Sequence, residues 1–304
     1  MTHLYVFAGV LLMLSGGPGL SATGVAASAS SASAAQDQDI VVEGTRQSDK
    51  QIRDYVSALT AAPAFGQIGR FYDAVCPVAI GLPTAQRTAI VERMRLVSAA
   101  ANIRVAPTGC TPNVFVIVAP DRQAAIRFLA QHYPAYFSGM SARQIARLAA
   151  TPSSASAWQI STRLSADGQI LKKGGGTGFY ILENSNAPSR VKAATIPAFV
   201  ASVVVIDLQA AAGLTVTQLA DYATMRTLAD TMPSRAAGVA APSILTILDK
   251  APDQLVPLTL SHWDLAYLKA LYDTSNAYYA AYQRGDIEQV VGKELRRPAP
   301  RERR

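Results

Sequence analysis

Behind Ser48 the apolar residues Ile52, Tyr55, Val56 and Leu59 recur at helical spacing, so residues 48–59 are predicted to form an amphipathic helix capped by Ser48. A second helix is predicted from a Thr84 cap to about Ala101, with Ile90, Val91, Met94 and Val97 on one face. Apolar runs at 103–105 and 114–118 predict strands, and helical patterns follow at 121–132 and 141–150. That alternation points to an α/β-type half with part of its sheet buried. From 157 to 208 the pattern turns to strands, at 158–164, 178–182 and 199–206. Beyond Leu208 it returns to helices, at 215–230, 261–272 and 283–296. The fold class expected is α+β, a mixed β-sheet with several packed helices.

One apolar stretch stands outside this scheme. Residues 4–14 have the length of a signal-peptide core, and Gly/Pro breakers and an Ala/Ser tract follow, with small residues that allow cleavage after Ala34 or Ala35. Met1, Thr2 and His3 bring no Lys or Arg to the n-region. The run is well short of the ~20 residues a bilayer helix needs, and the run at 199–206 is shorter still and ends at Asp207, as a buried strand would. Residues 1–35 therefore read as a cleavable leader, with no transmembrane span after its removal and a periplasmic or secreted destination. No Cys stands near the cleavage region, which argues against lipid attachment.

That destination changes the reading of Cys76 and Cys110, because two cysteines in an oxidising compartment favour one disulfide. It also removes His3, leaving His132 and His262 at unrelated spacings, too few for a zinc site. No metal or other cofactor is expected.

Half of the residues are hydrophobic, enough for a sizeable core, and the formal charge is +7. The charge is unevenly placed: residues 293–304 hold six basic and two acidic residues, a net +4. This tail, broken by Pro298 and Pro300, is expected to be disordered; contact with an anionic envelope surface is its sharper reading, and the compartment argues against nucleic acid. Between leader and tail, residues 36–47 form a lead-in or linker and 48–292 a single domain, with 48–156 and 157–292 as sub-lobes. Within the lead-in, Ile40 to Arg46 resembles the opening of TonB-dependent receptor plugs, but nothing else in the chain resembles an outer-membrane barrel.

The stretch from Lys172 to Gly178 is rich in glycine, but a phosphate loop places Lys after the glycines and a helix after that. Here Lys comes first and a strand follows, which predicts a hairpin turn. Gly-x-Ser-x-Gly, Gly-x-Gly-x-x-Gly and Cys-x-x-Cys are absent, which removes common routes to a hydrolase, a dehydrogenase or a redox protein.

Three segments occur in a suggestive order: a helix at 214–233, Ala241-Pro-Ser-Ile-Leu-Thr-Ile247, and a run from Pro257 to Tyr272 containing Leu-Thr-Leu-Ser-His-Trp-Asp. The order resembles the C-terminal half of matrixin-like metzincins, with an active-site helix, a Ser-Ile-Met turn and a Leu-Thr-x-x-Asp helix, and the similar layout of uncharacterised exported bacterial domains. The resemblance implies a zincin-like C-terminal half. In the active family the helix carries His-Glu-x-x-His and a later third His, because imidazoles one turn apart face one zinc and the Glu activates its water. Here those positions fall at Asp221, Tyr222, Met225 and near Thr231, and the Met of the turn falls at Leu245. The resemblance therefore implies a pseudoenzyme.

The residues themselves offer further candidates. Asp221, Arg226 and Asp230 lie about one turn apart along the same helix, either as a polar cleft or as a solvated face with a surface ion pair. His262, Trp263 and Asp264 could be an acid/base pair with an aromatic platform, but Ser261 and Asp264 are spaced as a capping box with Trp263 packing inward. Tyr278, Tyr279 and Tyr282, with Tyr267 and Tyr272 before them, could line a domain edge or a binding surface. Two functions are expected from these features. The first is an exported non-catalytic envelope protein that binds a protein or cell-wall component. The alternative is a hydrolase acting on peptide or glycan through Asp221 and Asp230.

Overall fold

A computed structural model describes residues 48–60, 66–165, 168–169, 171–173, 180–181, 188–249 and 257–297. Residues 1–35, expected to be a leader, the segment 36–47 and residues 298–304 lie outside these residues. The helix expected behind Ser48 is α1 (Asp49–Leu59), started by a capping box between Ser48 and Gln51 and burying Ile52, Tyr55, Val56 and Leu59. Two short strands, β1 (Arg70–Phe71) and β2 (Pro77–Ile80), lead to α2 (Thr84–Ala100). Here the start differs from expectation: Pro83 holds the cap position without a side-chain bond, and the Thr84 hydroxyl accepts from Arg87 instead. The strand expected at 103–105 is reduced to one parallel bridge between Val75 and Val105. The Ile103 N–H still bonds the Ser98 carbonyl, so the chain is completing the end of α2 there.

Next come β3 (Val114–Ala119), α3 (Arg122–His132), a 3₁₀ turn (Pro134–Phe137), α4 (Ala142–Ala150) and β4 (Ala155–Ser165). Two short strands, β5 (Lys172–Lys173) and β6 (Tyr180–Ile181), pair antiparallel, so the Lys172 stretch is a hairpin arm; residues 174–179 lie outside the described set. The chain continues through β7 (Thr195–Asp207), α5 (Leu208–Ala211), α6 (Val216–Leu228), α7 (Pro233–Ala236), a 3₁₀ turn (Ile244–Thr246), α8 (His262–Asp273) and α9 (Ala280–Leu295). The last helix starts three residues before the predicted 283, behind Tyr279, which makes no side-chain cap bond.

β7 is the spine of a five-stranded, mostly parallel sheet. One side of β7 pairs antiparallel with β4 along most of its length; the other pairs parallel with β1 at Ala198 and Phe199 and with β3 from Ser202 to Asp207. Val200 separates these two partners. Ile160 faces Ala201 and Ser161 faces Phe199, so Val200 is an extra residue in β7 and is exposed. Such a bulge reverses which face successive side chains take. Accordingly Phe199 joins Val204 and Ile206 on one face, while Val203 and Val205 lie on the other.

Helices cover both faces. The larger core joins the first face to α1, α2, α6, α8 and α9 through residues such as Tyr55, Met94, Tyr222 and Tyr267. The smaller joins the second face to α3 and α4 through Ile126, Leu129, Phe137 and Ala149, with Trp158 stacked on Phe137. The fold is α+β, and the expected Cys76–Cys110 disulfide is present, closing a loop around β2 and α2. Among the described residues no helix is long and apolar enough to cross a membrane.

Candidate functional site

α6 carries the positions that the sequence singles out. A Thr215–Gln218 capping box starts it, and the Gln218 side chain also donates to the Pro257 carbonyl. Every residue from Gln218 to Leu228 is buried, so the solvated face expected for this helix does not exist. Asp221 is fully buried: its Oδ1 accepts from Arg93 Nε at 2.7 Å, and its Oδ2 accepts from Arg93 Nη2 at 3.0 Å, Thr259 Oγ1 at 2.7 Å and Leu260 N–H at 2.6 Å. A buried carboxylate is tolerated only with such pairing, and here both oxygens are engaged by structure.

Arg93 does not stand out from sequence reasoning alone. It interrupts the apolar face of α2 between Ile90 and Val97, and a cation at such a position is the available signal of a buried counter-charge.

The remaining α6 candidates do not join Asp221. Arg226 is buried and donates to the Thr231 carbonyl just past the helix, and its Nε has no partner among the described residues. Asp230 lies exposed beyond the helix end. Desolvation by the surrounding protein pushes its carboxyl up and the Arg226 charge opposes this, while contact with water weakens both effects. Tyr222 is buried and its hydroxyl is pushed up to about 12, by desolvation above all. Met225 is fully buried, and Thr231 donates its hydroxyl to the Met225 carbonyl. Asp221 is thus buried with both oxygens hydrogen-bonded, whereas Asp230 is exposed past the end of α6.

A second buried carboxylate, Asp264, does more than cap a helix. Ser261 and Asp264 form the expected capping box, and Trp263 packs inward. Asp264 also accepts from Tyr55 OH at 2.7 Å, Ser243 Oγ at 2.6 Å and Ile244 N–H at 2.9 Å. It ties α1, the 243–246 turn and α8 together. Burial raises the Asp264 carboxyl against these donors, and burial beside Asp264 raises the Tyr55 hydroxyl well above its ordinary value. The neighbouring His262 is lowered by burial and has no side-chain bond to Asp264.

The tyrosines do not gather into one exposed patch. Tyr267 is buried, and the Tyr272 hydroxyl donates to the Leu228 carbonyl and accepts from Phe71 N–H. Tyr278 and Tyr279 are half-buried against residues 191–192, with the Lys192 ammonium 5.3 Å from the Tyr278 ring. Tyr282 alone is exposed. Among the described residues no group of three or more His, Cys, Asp or Glu could hold a metal ion.

One surface near α6 is open to recognition. β4 pairs only with β7, so its other side is a sheet edge among the described residues. Ser202, opposite Gln159, sends its N–H away from β4 to the Asn113 carbonyl. In an antiparallel ladder Gln159 then points its own main-chain groups outward, as do every second residue on either side: Ala157, Ser161 and Arg163. These groups make no other main-chain bond among the described residues. The Gln159 side chain donates to the Arg226 and Ala229 carbonyls, fixing this edge against the end of α6.

Comparison with known protein families, with curated proteins and with solved structures finds no match for this chain.

Proposed function

We propose that this chain is an exported, non-catalytic envelope protein that binds an extended segment of a partner protein along the outer edge of β4. The observation that carries the reading is the run of outward main-chain groups from Ala157 to Arg163. Long edge strands are ordinarily protected by Lys, Pro, bulges or a covering element. β4 is 11 residues long, contains neither Lys nor Pro, and keeps its own alternation unbroken, the extra residue being in β7. Such an edge suits strand addition, in which main-chain hydrogen bonds supply affinity. The burial of Asp221 and the engagement of both its oxygens by Arg93 support the non-catalytic part of the reading. The leader-like residues 1–35 and the disulfide support export.

The test is photo-crosslinking in cells from a benzophenone side chain at Thr162, which is exposed on this edge. A specific protein adduct is expected, and Ser161→Pro should abolish it, because Pro removes an outward donor that the fold itself does not use. No adduct under conditions where a control envelope protein crosslinks, or an unchanged adduct in a folded Ser161→Pro chain, would sink the proposal.

A further inference from the structure

From Arg122 to Ser165 the sequence contains no Asp or Glu, yet it contains five arginines. The one carboxylate at its border, Asp121, caps α3 by accepting from Ala124 N–H. Arg122 is turned inward: buried, it donates to the Leu148, Ala149 and Thr151 carbonyls and to Ser156, closing the end of α4. Arg163 bonds Gln67 and Thr195.

Arg127, Arg143 and Arg147 differ. All three are exposed, and none makes a side-chain hydrogen bond or ion pair among the described residues. α3 and α4 pack together over the same sheet face, turning Ile126, Leu129 and Ala149 inward, so these arginines stand on the side facing away from the sheet. Arg143 and Arg147 are one turn apart, a like-charge spacing that weakens a helix. Next to Arg127 in α3, Phe128 is 45% exposed and stacks on His132 with ring centroids 4.2 Å apart. Elsewhere some exposed cations meet carboxylates: Lys50 with Asp54, Arg296 with Asp49 and Arg297 with Glu294.

We infer that the α3/α4 face docks on an anionic, phosphate-bearing lipid surface. Guanidinium groups match phosphate oxygens in a two-point geometry, and a segment with one carboxylate at its border and none within it meets little repulsion from a field of such groups. An exposed aromatic ring beside cations suits the boundary between headgroups and acyl chains, where an acidic protein segment would offer it less. This surface lies on the opposite sheet face from α6 and is separate from the β4 edge, so it gives the chain a place at the envelope while the edge remains available.

The experiment is cosedimentation of the purified chain with vesicles of phosphatidylglycerol and phosphatidylcholine, against phosphatidylcholine alone. Binding is expected only to the anionic vesicles and should weaken as salt rises. Each arginine contributes about fivefold to partitioning, so Arg127→Gln, Arg143→Gln and Arg147→Gln together should reduce it about a hundredfold. Gln is a good helix former at exposed positions, and unchanged thermal unfolding would establish that the triple variant folds. Three results would overturn the inference: undiminished binding by the folded triple variant, complete loss of binding on removing residues 298–304 alone, or binding to polyglutamate but not to the vesicles.

Discussion

Arg93 and Asp221 are 128 residues apart in the chain and meet in a two-point ion pair, Nε to Oδ1 at 2.7 Å and Nη2 to Oδ2 at 3.0 Å, with both side chains almost wholly removed from water. The pair joins α2 to α6, and Thr259 and Leu260 bring in the residues just ahead of α8. Its energetic signature is asymmetric. Each charge is costly to bury alone, whereas the pair together can be matched by apolar side chains of similar size.

Asp221→Ala should therefore destabilise the chain by about 3–5 kcal/mol in urea unfolding. Combining Asp221→Leu with Arg93→Met should recover most of that loss. If the double variant is as unstable as the single, the Arg93–Asp221 pair contributes net stability beyond neutralising two buried charges.

Asp264 gives a pH dependence of defined sign. Desolvation raises its carboxyl in the folded state above the ordinary 3.8, so the folded chain holds that proton more tightly than the unfolded one. Its contribution to stability is greatest when protonated and falls as pH rises from the unfolded value through the folded one, with no further change above. Unfolding free energies measured across this acid window should show a negative component in the wild type that Asp264→Asn lacks.

The disulfide spans a sequence separation of 34 residues. Chain-entropy arguments give a loss of about 4 kcal/mol for Cys76→Ser with Cys110→Ser. A thiol assay on the denatured, unreduced wild-type chain should find no sulfhydryl, and two should appear after reduction.

Gly81 links β2 to α2 at a φ of 87°, and a Cβ there would lie 1.9 Å from the Val118 carbonyl oxygen. Gly81→Ala should cost at least about 2 kcal/mol, through strain at a positive φ together with a backbone clash. Gly109, also at positive φ but with nothing near its missing Cβ, is the control that isolates the strain.

Local signals in the sequence located most helices. Ser48, Ser141, Thr215 and Ser261 each stand three residues before a Gln or Asp that completes a capping box, so those starts follow from short-range chemistry. The burial of Asp221 does not follow that way, because its partner is on another helix and only the odd position of Arg93 hints at it. The bulge at Val200 is hidden for a different reason. Residues 199–206 are almost continuously apolar, and a strand buried on both faces shows no alternation from which a reversal could be read. The open edge of β4 is equally silent, since which strand ends a sheet depends on pairing order.

The ring closed by Cys76 and Cys110 has a consequence for the order of assembly. It encloses α2, and with it Arg93. In a chain delivered across a membrane from its N-terminus, both cysteines emerge well before Asp221. The ring can therefore be covalently sealed while its guanidinium is still in water, and the later arrival of α6 draws that charge inside. A protease that cuts α2 after sealing would leave a single piece until reductant is added, so the same ring that precedes burial would also disguise the wound.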